Sequence, residues 1–301
     1  MGDHREYLSS PFFVDDYFHI GHMHLASGKP CQDYSFSGLL RDSAYAIVSD
    51  GCSSGRHTDV GSRVVALSTV SSIREWLELK NIPITNLKDI VYNQHKIAIA
   101  KSIEAFNLEL QDMLATCVYA CITPNGGVIH VQGDGVIAEV YSDGLITLTS
   151  YQWLNNIPLY PAYAADDYRS FIQCHGGDLK AHVLKIDYCE YAGSDKLIEA
   201  FPTSHVSLGS SIQGTELFIS AQEIEKLKLI AVFTDGVMQV EGMSWQNVVL
   251  ELLAFKNLEG EFAKRRMMRF IKDSKKDNKK GPLDDISFAV IRVGQEPGEE
   301  V

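Results

Sequence analysis

CVYACITPNGGVIHVQGDGVIAEVYSDGLITLT, residues 117–149, is the stretch whose reading decides the fold. Four apolar runs, Cys117 to Thr123, Val128 to Gln132, Val136 to Tyr141 and Leu145 to Thr149, are parted by Asn125-Gly126-Gly127, Gly133-Asp134-Gly135 and Ser142-Asp143-Gly144. Asn-Gly and Asp-Gly pairs reach the positive φ values of tight hairpin turns, so the pattern predicts four strands joined as an antiparallel meander.

Upstream, Ala44-Tyr45-Ala46-Ile47-Val48-Ser49 is an apolar run suited to a buried strand, broken by the polar loop Asp50-Gly51-Cys52-Ser53-Ser54-Gly55. A helix should follow, capped by Thr58 or Asp59, with Val64, Leu67, Val70, Ile73 and Trp76/Leu77 on one face. A second helical stretch runs from about Leu87 to Leu114, its apolar residues being Ile90, Ile97, Ile103, Phe106, Leu110 and Met113. Downstream, residues 151–215 are rich in Tyr, Pro, Gly and His, with strand-like pieces such as Ala181 to Ile186. Leu229 to Phe233 reads as a buried strand ending at Thr234-Asp235-Gly236, and Trp245 to Phe255 and Glu259 to Ile271 read as helices. The last strand, Ile286 to Val293, is entered through Gly281-Pro282-Leu283-Asp284-Asp285, and the acidic tail 295–301 reads as disordered. Hairpin-joined strands beside paired long helices make an α+β pattern rather than a doubly wound one.

The chain has 301 residues, 45% hydrophobic and 22% charged, which is globular composition with enough length to bury a core without disulfides or a structural metal. Its formal charge of −12 argues against binding nucleic acid or an anionic membrane. No apolar run approaches the ~20 residues of a membrane span. Met1-Gly2 opens neither a secretory signal nor a myristoylation signal, since position 6 is Glu. A cytoplasmic protein is expected. Six cysteines without a Cys-x-x-Cys pair read as reduced thiols, and Cys117 and Cys121 share a strand face too far apart to bridge.

Asp50, Asp235 and Asp284 each stand at or beside the end of a predicted buried strand. Magnesium and manganese take carboxylate, carbonyl and water oxygens in an octahedron, and rigid strand ends hold such groups in place. A neighbouring glycine lets backbone approach an ion closely. Asp-Gly is also ordinary turn chemistry, so three separate turns remain the alternative on these residues alone.

The ordered blocks around them resemble the type-2C family of metal-dependent protein phosphatases, which includes bacterial members. These are Gly28-Lys29-Pro30-Cys31-Gln32-Asp33, residues 46–54, Asp59-Val60-Gly61-Ser62, Thr116, residues 131–135, residues 229–237 and Asp284-Asp285-Ile286-Ser287. The resemblance spans roughly residues 20–293, weakest in the middle third. It implies a four-layer α-β-β-α sandwich, two central antiparallel sheets flanked by helices, formed by one domain over residues 1–294 with a variable flap-like region about 151–215. It implies two Mn²⁺ or Mg²⁺ ions, with Asp50 bridging them, the Gly51 carbonyl on one, Asp235 and Asp284 on the other, and Asp33 holding coordinated water. Asp134 resembles a contributor to a third ion shared with Asp235, the alternative being a plain hairpin turn. Asp285 reads as a supporting or strand-entry residue.

The implied activity is hydrolysis of phosphoserine and phosphothreonine on proteins by metal-activated water, in signalling opposite a serine/threonine kinase. No Cys-x₅-Arg loop offers a competing nucleophile. Two departures stand out: Gly28 with Lys29 occupies the place of a phosphate-binding arginine, and Cys52 that of a histidine after the first Asp-Gly. Lys29, Arg56 and His57 are the candidate substitutes at the phosphate, with His22 and His24 further candidates for the acid. These departures leave two alternatives, a weak or inactive phosphatase-fold module that binds a phosphoprotein or kinase and a two-metal phosphoesterase acting on small phosphates. Lys275, Lys276, Lys279 and Lys280 read as a solvated loop, or as a basic patch near the cleft that captures a phosphorylated partner.

Overall fold

A computed structural model describes residues 11–79, 82–178, 181–193, 196–207, 212–276 and 279–294; the acidic tail and the first ten residues lie outside them. Among the described residues, thirteen strands form two sheets, and every pairing is antiparallel. The first sheet runs β1 (Phe12–His19), β13 (Ile286–Val293), β12 (Leu227–Phe233), β6 (Gly135–Tyr141), β7 (Leu145–Trp153), β8 (Val183–Ala192) and β10 (Ser204–Ser207), with β9 (Lys196–Ala200) also paired to β8. The second runs β11 (Thr215–Ser220), β5 (Gly126–Gln132), β4 (Cys117–Thr123), β3 (Ser43–Ser49) and β2 (Tyr34–Leu40).

The predicted meander is therefore split between sheets. β4 and β5 form one hairpin in the second sheet, β6 and β7 another in the first. Gly133-Asp134, read as a hairpin turn, carries the chain from one sheet to the other, with Gly133 at φ 97° and Gly135 at φ 153°. That crossing puts Asp134 at the end of the sandwich.

Strands buried on both faces explain why the sequence shows apolar runs instead of alternation. In β3, Ala44, Ala46 and Val48 pack between the sheets, while Tyr45 and Ile47 face α2 (Thr58–Glu78) and α3 (Leu87–Phe106). In β12, Ile230 and Val232 point between the sheets, and Leu229 and Phe233 pack under α6 (Trp245–Leu253) and α7 (Phe262–Ser274). The layers are helix, sheet, sheet, helix. No described helix is long and apolar enough to cross a membrane.

The helical faces correct the sequence reading. On α2 the buried set is Val65, Ala66, Thr69, Val70, Ile73 and Trp76, and Leu67 is exposed. On α3 Leu87, Val91, His95 and Ile99 are buried while Ile97 and Phe106 face water. That helix stops at Asn107, whose left-handed φ of 52° ends it before a separate 3-10 turn at Leu110–Met113. Neither Thr58 nor Asp59 caps α2 by its side chain. Two elements absent from the sequence reading, β1 and the short α1 (His22–Ser27), fill the edge beside β13 and the approach to Gly28.

Two core histidines carry a pH consequence. His95 Nε2 meets Thr69 Oγ1 at 2.8 Å, and His130 stacks on Tyr119 with ring centroids 4.9 Å apart. Burial holds them neutral, pushing His95 down to about 4 and His130 to about 3. The unfolded chain takes up these protons near pH 6.5 and the folded chain does not, so folding loses stability as pH falls below about 6.5. Urea midpoints measured from pH 7 to 5 should show a shallower acid decline in His130→Phe than in wild type. Parallel declines would show that this histidine is not their source.

Candidate active site

Six aspartates converge where the strands end at one end of the sandwich. Asp50 follows β3, Asp134 stands at the sheet-to-sheet crossing, Asp235 follows β12, Asp284 and Asp285 precede β13, and Asp33 precedes β2. Asp33, Asp134 and Asp285 are buried, whereas Asp50, Asp235 and Asp284 keep partial exposure at the surface of the cluster.

Neutral groups hold this cluster. The Thr234 hydroxyl donates to Asp33 Oδ2 at 2.7 Å and accepts from the Ser287 N–H at 3.0 Å, tying the end of β12 to β13 and to Asp33. Asp50 N–H donates to Thr116 Oγ1 at 2.9 Å, and Thr116 N–H returns a bond to the Asp50 carbonyl at 2.8 Å. Gln239 Nε2 donates to Asp284 Oδ2 at 3.1 Å. Asp285 accepts from Gly21 N–H at 2.7 Å, Gln32 N–H at 2.6 Å and His24 Nδ1 at 2.8 Å. His24, Asp284 and Asp285 bring possible ligand atoms within 4.8 Å of one another. Both Asp285 oxygens are already taken by these donors, so this trio is a hydrogen-bonded brace.

The glycines beside the aspartates serve packing. A Cβ on Gly51 would lie 2.5 Å from the Thr58 carbonyl, and one on Gly236 would lie 1.8 Å from the Asp285 carbonyl. They let the aspartate-bearing turns press against other backbone.

Electrostatically the cluster is under-compensated. Burial, then the charges of Asp285 and Asp235, holds Asp33 above the usual carboxylate range against the Thr234 hydrogen bond. Burial followed by Asp33 and Asp235 does the same for Asp50, and burial followed by Asp235 for Asp134. Asp235 is raised by burial and by Asp284. No lysine or arginine pairs with these carboxylates among the described residues. Asp33 Oδ1 is buried without a hydrogen-bond partner. An oxygen-only donor set, an orphaned carboxylate oxygen and unneutralised charge together fit a hard divalent cation.

The other expected residues scatter. Lys29 is exposed, its Nζ 3.5 Å from the Ser53 carbonyl, which places it beside the turn that follows Asp50. Arg56 and His57 are exposed at the start of α2, where their N–H groups donate to Asp112 Oδ1, and no contact joins them to the cluster. His22 opens α1. Sequence reasoning named Thr116, Thr234 and Asp285 without their hydrogen-bonding roles, and it missed Tyr160. Burial and then the charges of Asp134, Cys52 and Asp50 push the Tyr160 phenol up, so this residue of the 151–215 stretch stands over the cluster. Tyr160 lines a neighbouring cleft of about 1020 Å³ together with Cys52 to Ser54, Glu109 to Gln111, Leu114 and side chains between Asn156 and His175; none of the six aspartates lines it.

An α-β-β-α sandwich with an acidic cluster at one end defines the class of fold. Residues 20–153 match the family model described as Protein phosphatase 2C. The serine/threonine phosphatase Stp1 of Staphylococcus aureus is similar in fold, with a TM-score of 0.55 and 12% identity over 98% of this chain and 100% of that one. Mycobacterium tuberculosis PstP/Ppp gives a TM-score of 0.52 and 12% identity over 94% of this chain and 99% of its own. The catalytic domain of PstP in complex with two manganese ions gives 0.52 and 14% over 94% and 99%. A search of curated protein sequences finds no match. The match to the protein phosphatase 2C model covers less than half of the chain, and the solved structures similar to it in fold include bacterial serine/threonine phosphatases.

Two outcomes follow. Carboxylates with raised folded pKa values bind protons that the unfolded chain has released, so metal-free protein should lose stability as pH rises from about 4 through neutrality. Asp33→Asn should flatten that decline and raise the melting temperature of EDTA-treated protein at pH 7.5 by about 5 °C. A lower melting temperature would refute the charge argument. Asp285→Ala strands three donors and should destabilise by about 3 kcal/mol in urea unfolding.

Proposed function

We propose that this chain hydrolyses phosphoserine and phosphothreonine on proteins at a divalent-cation centre. The observation that carries the reading is the under-compensated aspartate cluster with its orphaned Asp33 oxygen, set beside an open cleft. Asp50, Asp235 and Asp284, with Asp33 and the Gly51 carbonyl, would hold two Mn²⁺ or Mg²⁺ ions, and Asp134 with Asp235 a third. Such ions, when bound, neutralise a phosphoryl group and lower the pKa of coordinated water.

The chain's own part is placement. Thr234, Thr116, Gln239 and Asp285 lock the aspartates, so little reorganisation accompanies the reaction. Lys29 brings a single positive charge to the rim for the substrate phosphate. A cleft this size admits an extended peptide bearing the phosphoryl group, and Tyr160 and residues 156–175 line its approach. Its thiol neighbour Cys52 has Thr58, not an arginine, six residues on, so no cysteine-phosphatase loop forms. The setting that fits is intracellular signalling, opposite a serine/threonine kinase.

A second reading, a binding module that recognises a phosphoprotein with little turnover, draws on the rim: one exposed lysine replaces a bidentate arginine, and Cys52 replaces the histidine. Activity decides between them. Purified protein should hydrolyse p-nitrophenyl phosphate and a phosphothreonine peptide when Mn²⁺ is added, and EDTA should abolish both. Asp50→Ala or Asp235→Ala should lower kcat by at least about 10²-fold, since even partners that only support ligands matter at that level. Full activity in EDTA refutes the proposal. Manganese binding and phosphopeptide binding without turnover favour the module.

A further inference from the structure

α7 is out of character with the rest of the chain. The chain carries a formal charge of −12, yet residues 264–276 hold Lys264, Arg265, Arg266, Arg269, Lys272, Lys275 and Lys276 against Asp273 alone. The helix buries Phe262, Ala263, Met267, Phe270 and Ile271 on the first sheet, which leaves Arg265, Arg269 and Lys272 along its outward side. Three of the cations are paired locally: Lys264 with Glu261, Arg266 with Glu251 and Lys276 with Asp273. Arg265 donates only to the backbone carbonyls of Asn257 and Glu259. Arg269, Lys272 and Lys275 form no salt bridge among the described residues, although Arg269 shares the field of Asp273 with Lys276. A solvated helix face on an acidic protein does not require such a stripe, since mixed charges keep it soluble equally well.

The stripe leads to the site. Gly281, at φ 76°, turns the chain back along the end of α7, where a Cβ on it would lie 3.0 Å from Ser274 Oγ and 3.1 Å from Lys275 Cγ. Three residues later comes Asp284. We infer that the outward face of α7 is a docking surface for an acidic segment of the phosphoprotein substrate, a step that rests on the phosphatase reading. The apolar side of α7 is spent on the core, so the face offers charge without an inserting surface. An acidic peptide fits that better than a lipid bilayer does. Cations set apart from the carboxylate cluster capture such a segment without quenching the centre, and the attraction weakens over a Debye length of about 8 Å at 0.15 M salt.

The test compares two phosphothreonine peptides of identical length, one flanked by glutamates and one by glutamines, with p-nitrophenyl phosphate as a substrate that has no flanks. Wild type should show the lower KM for the glutamate peptide, with the preference fading as salt rises. Arg265→Glu/Arg269→Glu/Lys272→Glu should raise that KM about tenfold and leave the other two substrates unchanged, while Arg269→Gln gives a smaller shift in the same direction. Equal KM values for the two peptides in wild type, or a variant that shifts all three substrates alike, overturns the inference. If wild type turns over none of them, the phosphatase reading has failed. Anisotropy of the labelled glutamate peptide then still tests the surface: binding lost in the triple variant supports it, and no binding overturns it. Equal or tighter binding to phosphatidylserine vesicles or to DNA also overturns it.

Discussion

Carboxylates taken out of water and set side by side resist ionising, and the acidic end of this sandwich is built against that repulsion. Asp33, Asp50, Asp134 and Asp235 are all raised by burial first and then by the charges of neighbouring aspartates, Asp284 and Asp285 among them. A lysine or arginine among them would relieve the strain and also remove the negative potential. The chain instead uses hydroxyls, amides and backbone N–H groups, which fix the oxygens without cancelling their charge. The stability for this comes from elsewhere, from three apolar layers that bury the central strands on both faces.

The same layers determine where the aspartates sit. β3, β12 and β13 are central strands whose ends cannot drift, because neighbours on both sides fix their register. The turns that leave them are crowded: Gly21, Gly51 and Gly236 each abut backbone from a different segment, with no room for a methyl group. Asp285 then ties the loops before β2 and α1 to the start of β13. The arrangement is cooperative, since moving any one turn strips hydrogen bonds from another.

Much of this was readable from residues. The runs 44–49, 229–233 and 286–293 announced buried strands because both their faces are apolar, and Asp50, Asp235 and Asp284 followed as strand-end residues. What failed to show depends on distant parts of the chain. Gly133-Asp134 has the composition of a hairpin, and nothing local says that it crosses between sheets. β1 carries Asp15 and Asp16, which accept from the Ala263 N–H and from Ser35 and Ser37, so its charges hid an interior-facing edge. Leu67, Ile97 and Phe106 fit a helical stripe in sequence yet face water, because the true stripes pass through Thr69 and His95, polar residues satisfied by each other. Tyr160 comes from a stretch without periodicity, and only the fold brings it over Asp50 and Asp134.

At 12–14% identity, likeness to the solved phosphatases carries the fold, and the chemistry has to be argued from the site itself. Of the departures from the family pattern, Cys52 lines the cleft and Lys29 reaches the Ser53 carbonyl beside it, while the aspartates proposed to bear metal stand on strand ends outside that lining. These two sets of residues do different work. A rim cation adds to the hold on a substrate phosphate in ground state and transition state alike, so replacing a forked guanidinium by a lysine weakens binding more than it slows the step itself. In the proposed reaction, charge for the phosphoryl oxygens would come from the centre that Asp50, Asp235 and Asp284 would hold, and these carboxylates are all present. The altered rim therefore predicts a weaker grip on small phosphates, and it gives a physical reason for substrate affinity to be supplied from elsewhere on the surface, where a basic helix stands on an acidic protein.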